Sequence, residues 1–361
     1  MSNHKTDHKT IIAITHGDFN GIGYEVILKT LSDSKVYDHF IPVIYGSSKA
    51  AGYYRKMLDL PAINFNIINA VEEAQAKKVN LINCSTNEDI RVEHGKSTEE
   101  AGKAAFDALE RAVADMKKGL VDALVTAPIN KKNIQSDSFY FPGHTEYLEQ
   151  VFNDKQSALM LLVNDVMRVA VVTGHIPVKD LTSVITKELI VEKLTTFNQS
   201  LKQDFTIVRP RIAVLGLNPH AGDEGVIGTE EETVIKPALE EAQANGILCF
   251  GPYPADGFFG SGHFNKFDGI LAMYHDQGLI PFKTIAMDEG VNFTAGLSTV
   301  RTSPAHGTAY DIAGQGVASE NSFRQALYLA YDILQNRKLD EEIHRNPLPI
   351  EKSKERGRNI E

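Results

Sequence analysis

The stretch "GILAMYHDQGLIPFK", residues 269–283, holds a short apolar run that turns abruptly polar. Ile270–Tyr274 reads as a strand buried on both faces, the kind found in a parallel sheet. His275, Asp276 and, eight residues past the histidine, Lys283 then arrive together. The histidine is either a cap at a strand end or part of a chemical site. The same alternation of β-branched runs with amphipathic stretches continues along the chain. Strands are expected at Ile11–Thr15, Ile41–Tyr45, Asn64–Ile68, Asn80–Asn83, Ala123–Thr126 and Ala158–Val163. Further strands are expected at Val169–Thr173, Ile212–Gly216, Ile247–Phe250, Ile270–Tyr274 and Val291–Thr294. The pattern predicts an α/β fold with a mainly parallel sheet covered on both faces by helices.

The clearest helix spans about Ser97 to Lys118. Its alanines and leucine follow the 3.6-residue period, Ser97 and Glu100 form a capping box, and Gly119 supplies a left-handed end. A second capping box, Thr229 with Glu232, opens a segment that ends at Gly246, and Pro237 either kinks it or restarts it.

Composition narrows the function classes. The 361 residues carry 47 acidic and 37 basic side chains and no Lys/Arg block, which speaks against a nucleic-acid or anionic-membrane surface. The N-terminal "MSNHKTDHKT" lacks the apolar core of a secretory signal. "ALMLLVNDVMRVAVV" is broken by Asn164, Asp165 and Arg168, so it reads as two adjacent strands rather than a membrane span. Cys84 and Cys249 form no CxxC pair, and a cytoplasmic location is the simplest expectation. The last residues, "EKSKERGRNIE", read as a solvated tail.

Three strands end in histidine. "RVAVVTGH" reaches His175, "RIAVLGLNPH" reaches His220 and "GILAMYH" reaches His275, at spacings of 45 and 55 residues. Ligands of open α/β sheets bind beyond the carboxyl ends of the strands. Three imidazoles there suit a divalent metal with one position left open. Taken singly, each histidine is better read as a strand-end cap or a loop hydrogen bond, and only the recurrence of all three at equivalent positions brings the metal reading level with it. Asp256, in the Pro/Gly-rich "GPYPADGFF", and Asp276 are neighbouring acids whose simplest reading is loop solvation. "THGDFNGIGYE", residues 15–25, could hold an anion on backbone N–H groups, yet its glycines do not follow the GxGxxG order. His144 and Thr145 in "FPGHTEYLEQ" stand at a helix start, where Thr145 caps or donates to a phosphate.

The set "PGHTEYL", "VTGHIPV", "GLNPHAGDEGVIGTEE", "GPYPADGFF", "YHDQGLIPFK" and "GVNFTAGLSTVRTSPAHGTAYDIAGQG" resembles the 4-hydroxythreonine-4-phosphate dehydrogenase family of vitamin B6 synthesis. The resemblance runs from about Ile11 to Leu334. It implies the two-domain α/β/α fold of isocitrate and isopropylmalate dehydrogenases, with the active site in the interdomain cleft at a homodimer interface. Residues 1–135 with 295–361 would form the cofactor-side domain. Residues 136–294 would form the metal, substrate and dimerisation domain.

By position, the resemblance makes His175, His220 and His275 ligands of a divalent metal (Zn, Mg, Mn or Co), contributed by both subunits. It makes His144, Thr145, Lys283, Asn292 and Arg301 substrate contacts. His306 and Asp311 fall in a segment similar to an adenosine-binding loop. Asp311 would accept from a ribose hydroxyl and repel a 2′-phosphate, so NAD is expected over NADP. The implied reaction is oxidation of the C3 hydroxyl of 4-phosphooxy-L-threonine, followed by decarboxylation. Asp256, Asp276 and Lys283 are the candidates for the group that takes the hydroxyl proton. The alternatives are the same chemistry on 4-phospho-D-threonate or 4-phospho-D-erythronate, a non-catalytic phosphate-ligand binding protein, and a related phosphate acyltransferase. The family's first loop reads close to TPGDPAGIGPE. Here His16, Phe19, Asn20 and Tyr24 are replacements, and the loss of prolines is expected to loosen the turn.

Overall fold

The computed structural model describes residues 9–84, 90–137, 139–152 and 157–346. The start of the N-terminal polar segment and the C-terminal tail lie outside the described residues.

The frame is one twelve-stranded sheet. In chain order its strands are β1 (Ile11–Thr15), β2 (Ile41–Gly46), β3 (Phe65–Ile68), β4 (Val79–Asn83), β5 (Ala123–Thr126) and β6 (Leu159–Val163). They continue as β7 (Arg168–Thr173), β8 (Arg211–Leu215), β9 (Leu248–Tyr253), β10 (Gly269–Tyr274), β11 (Val291–Ala295) and β12 (Val300–Pro304). Every strand expected from sequence is present within a few residues. β12 was not expected, because Arg, Thr, Ser and Pro interrupt the apolar pattern by which a buried strand is recognised.

Across the sheet the order is β3-β4-β2-β1-β5-β12-β11-β6-β7-β10-β8-β9. Pairing is parallel except between β12 and β11, β11 and β6, and β6 and β7. The hairpin of β6 and β7 is closed by Asn164, whose Oδ1 accepts from the backbone N–H of Val166 and Met167 at 3.2 and 2.9 Å. That is the asparagine turn expected where two apolar runs meet a polar break. The outer strands are parallel because helices cross between them, burying both faces of the sheet.

The helix Glu99–Lys117 has Ala101, Ala104, Ala105, Ala108, Leu109 and Ala112 buried, as its period requires. Its cap is Thr98 rather than Ser97. Thr98 has the extended backbone of a cap, and its hydroxyl accepts from the N–H of Ala101. Gly119 takes the left-handed conformation, φ +71°, and donates to the Met116 carbonyl. The second capping box does not form. A π-helical turn, Glu231–Ile235, runs into the α-helix Lys236–Ala244, with Pro237 in its first turn. Thr229 contributes its backbone carbonyl there, accepting from the N–H of Thr233 at 2.9 Å. Pro237 restarts the helix, since a first-turn N–H has no intrahelical partner to lose.

The first loop is pinned, contrary to the expectation from its missing prolines. Phe19, Asn20 and Tyr24 are fully buried. Asn20 donates through Nδ2 to the Lys96 carbonyl and the Thr98 hydroxyl, at 3.0 and 3.1 Å, and accepts from the Glu93 N–H at 2.7 Å. His16 stacks on Tyr24 with centroids 5.1 Å apart and planes at 8°. Buried hydrogen bonds and ring stacking here do the work that proline dihedrals do elsewhere.

Candidate active site

The strand alternation brings the central strands' polar side chains to one face. Asn292 and Thr294 on β11, Arg301 on β12 and Thr126 on β5 share it, because residues two apart along a strand point the same way. His175 follows β7 and His275 follows β10, two neighbouring parallel strands. His144 and Thr145 open the helix His144–Phe152. These elements enclose a cavity of about 180 Å³ lined by His144, Thr145, His175, His275, Lys283, Asn292 and Arg301, together with Lys131 and Glu146. A larger groove of about 1480 Å³ lies on the other side of the 129–134 segment, against the helix Glu99–Lys117, and holds none of these predicted residues.

Arg301 is only 4% exposed. Nε and Nη2 both donate to the Thr126 hydroxyl, at 3.2 and 2.7 Å, and Nη1 donates to the Thr294 hydroxyl at 3.3 Å. Burial lowers its pKa to about 10. A guanidinium this deep with only hydroxyl partners is electrostatically under-compensated, which favours an anionic ligand. Burial, and then the charges of Arg301 and Lys131, hold His144 well below the usual imidazole range, so it is neutral. Asn292 Oδ1 is buried without a hydrogen-bond partner.

The histidine rings of His175 and His275 lie 5.8 Å apart, centroid to centroid. Nδ1 of His275 is 2.7 Å from Oδ1 of Asp276, a hydrogen bond. Nδ1 of His175 is 3.7 Å from Oε1 of Glu146, and its Nε2 is 3.0 Å from the Lys131 ammonium. Contact with His175 is the main cause that keeps Glu146 below the usual carboxylate range. Adjacent imidazoles, each with a carboxylate at Nδ1, form a donor pair suited to a divalent metal.

His220 is not with them. It lies in Pro219–Gly225, exposed, and five consecutive residues from His220 to Glu224 have positive φ. Glu231 anchors this loop by accepting from the N–H groups of Leu217 and Asn218, each at 2.7 Å. Among the described residues of the chain, no group of three or more His, Cys, Asp or Glu converges as a metal site. Asp256 is exposed in the short helix Ala255–Gly260, and it also lies outside the cavity lining.

His306 follows Ala305 of the cavity lining and is held below its usual range mainly by burial; its Nδ1 lies 3.0 Å from the Gly307 carbonyl. Asp311 is exposed, and its backbone carbonyl accepts from Gln315 at 2.8 Å. The 308–318 segment is tied to the first loop and to the helix Gly23–Leu31 that follows it. Ile22 N–H donates to the Thr308 carbonyl at 3.0 Å, Tyr310 donates to Asp18 at 2.6 Å, and Lys29 Nζ donates to the Gly316 and Ala318 carbonyls.

Lys131 and Glu146 escaped the sequence reading. "NKKN" resembles a solvated turn, and an acid in the first turn of a helix is ordinary dipole compensation. The only available signal was the position of Glu146, two residues after His144 in the same first turn.

The two cysteines are free, and among the described residues no helix is long and apolar enough to cross a membrane. A family model described as "Pyridoxal phosphate biosynthetic protein PdxA" matches residues 38–330. A 4-hydroxythreonine-4-phosphate dehydrogenase of Bacteroides thetaiotaomicron is 57% identical over 342 residues, covering 95% of this chain and 93% of that protein. A D-threonate 4-phosphate dehydrogenase of Cupriavidus necator is 39% identical over 325 residues, covering 89% and 96%. The crystal structure of a 4-hydroxythreonine-4-phosphate dehydrogenase from Klebsiella pneumoniae superposes with a TM-score of 0.77 at 35% identity, covering 91% of this chain and 99% of that one. With the match running through both halves of the sheet and through the cavity residues, the chain belongs to the PdxA family of pyridoxal phosphate biosynthetic proteins.

Proposed function

We propose that this protein oxidises the C3 hydroxyl of 4-phosphooxy-L-threonine with NAD, and that the resulting β-keto acid loses CO2 to give 3-amino-2-oxopropyl phosphate. The observation that carries the reading is the meeting, in one cavity, of the His175–His275 pair with the buried Arg301 and the neutral His144.

The chain's own groups divide the work. Arg301 balances a phosphate or carboxylate charge, and its planar guanidinium suits a bidentate contact. Neutral His144 and the Thr145 hydroxyl orient the substrate without adding charge. Of the three candidates for the hydroxyl proton, Lys283 alone lines this cavity, so Nζ of Lys283 is the assigned acceptor. Asp276 is spent on His275. His175 and His275 would hold a divalent metal from one subunit, with His220 supplied by the partner subunit. When bound, that metal supplies Lewis-acid stabilisation of negative charge on the substrate oxygen.

Asp311 would accept from the adenosine ribose of NAD and disfavour the 2′-phosphate of NADP, with His306 nearby. A two-lobed division, residues 1–135 with 295–361 against 136–294, accords with the sheet order. On that division the lobes would join along the antiparallel β12–β11 pair.

The same chemistry on 4-phospho-D-threonate is the second reading, favoured by the name of the Cupriavidus necator relative. A panel of 4-phosphooxy-L-threonine, 4-phospho-D-threonate and 4-phospho-D-erythronate, followed by NADH absorbance with and without chelator, tests both. The primary reading requires the highest kcat/KM on the first compound and its loss with chelator. Faster turnover of a threonate or erythronate would replace it, and absence of NADH with all three would leave a binding protein.

A further inference from the structure

We propose that Glu146 is a positioning residue for His175: after a small side-chain rotation its carboxylate accepts from Nδ1, favouring the Nδ1–H tautomer of the neutral ring and leaving the lone pair on Nε2. This rests on the reading of His175 as a metal ligand.

Two contacts on opposite sides of the ring agree. The Lys131 ammonium, 3.0 Å from Nε2, has hydrogens and no lone pair, so Nε2 must be the acceptor there. The neutral ring's single proton is therefore on Nδ1, where Oε1 of Glu146 lies at 3.7 Å, a small side-chain rotation from hydrogen-bonding distance. The neighbouring histidine repeats the arrangement, with Asp276 on Nδ1 of His275 at 2.7 Å. Both rings thus have a carboxylate on the Nδ1 side.

Glu146 has another possible partner in Arg301, which also lines the cavity, but the described residues include no ion pair between them. Its mounting adds a consequence. Glu146 stands in the first turn of the helix that also carries His144 and Thr145. One short helical turn therefore carries both the substrate contacts and the carboxylate beside His175.

The test uses the full-length protein, with Zn2+ alone as probe in calorimetric titration, and imidazole long-range 1H–15N spectra of the metal-free protein labelled on histidine. Wild type should show His175 as the Nδ1–H tautomer. In a Lys131→Met background, which removes the other group that holds Nε2 as acceptor, Glu146→Ala should shift it toward Nε2–H and weaken Zn2+ binding about 10–100-fold. Glu146→Gln, whose amide oxygen still accepts, should retain the tautomer and most of the affinity, with Tm close to wild type in both. An unchanged tautomer and affinity in Glu146→Ala on that background would overturn the proposal. So would equal losses in Ala and Gln without a tautomer change, which mark simple charge attraction. A His175→Ala arm separates the two levels: undiminished Zn2+ binding there sinks the metal reading itself, while the tautomer result stands on the metal-free protein alone.

Discussion

Nη2 of Arg301 donates to Oγ1 of Thr126 at 2.7 Å, and the guanidinium, though buried, ion-pairs with no carboxylate among the described residues. The protein holds a desolvated cation ready for an anion that arrives with the substrate. Arg301→Met should therefore cost kcat/KM at least about 100-fold, since a buried charge pair to phosphate or carboxylate is worth about 3 kcal/mol or more. The same variant should unfold at an equal or higher Tm, because it removes an under-compensated charge from the interior. A drop in Tm with activity retained would assign Arg301 to the fold instead.

The proposed sharing of a metal site between two subunits would have a quantitative signature. His220→Ala and His175→Ala homodimers should each lose metal binding and turnover while keeping their circular dichroism. Unfolded together and refolded at equal amounts, roughly half the dimers are mixed and each mixed dimer regains one complete site of two. Activity should return to about a quarter of wild type. No recovery would mean that the three histidines belong to one chain.

Cofactor choice should follow Asp311. The ratio of kcat/KM for NAD over NADP should fall by at least about tenfold in Asp311→Ala, the scale of one lost charge-assisted hydrogen bond and one removed repulsion. Equal kcat/KM for both cofactors in the wild type would end this assignment.

His16 gives stability a pH dependence of known sign. Burial lowers its pKa to about 4, against 6.5 in an unfolded chain. Between those values the unfolded chain binds the proton that the folded one refuses, so stability falls as pH drops from 6.5 toward 4 and levels off below it. The full difference is about 3 kcal/mol. His16→Phe keeps a ring on Tyr24 and should flatten this slope in urea unfolding measured at pH 4.5 and 7. An unaltered slope would place the acid sensitivity elsewhere.

The sequence was most legible where one force acted alone. The buried strands are read from their unbroken apolar runs, and His175 and His275 from their strand-end positions. β12 was hidden because it serves two purposes at once. Val300 and Thr302 satisfy the sheet interior while Arg301 and Ser303 face the cavity side, so no single hydropathy pattern describes it. Thr98 displaced Ser97 as cap by one position, a choice made by backbone dihedrals that residue type does not report. Lys131 and Glu146 looked like surface charge because their shared partner, His175, is distant in sequence. His220 was read as part of the metal set, and a single chain leaves it apart.

The loop around His220 has a consequence for protein engineering. Ala221 holds φ 51° and ψ 42°, a conformation that costs an L-residue about 1 kcal/mol or more and costs glycine nothing. The usual rule that glycine weakens a chain is therefore inverted at this position. Ala221→Gly should raise stability, and inserting a residue should swing His220 to a new bearing, so the loop tolerates a lost side chain better than a changed length.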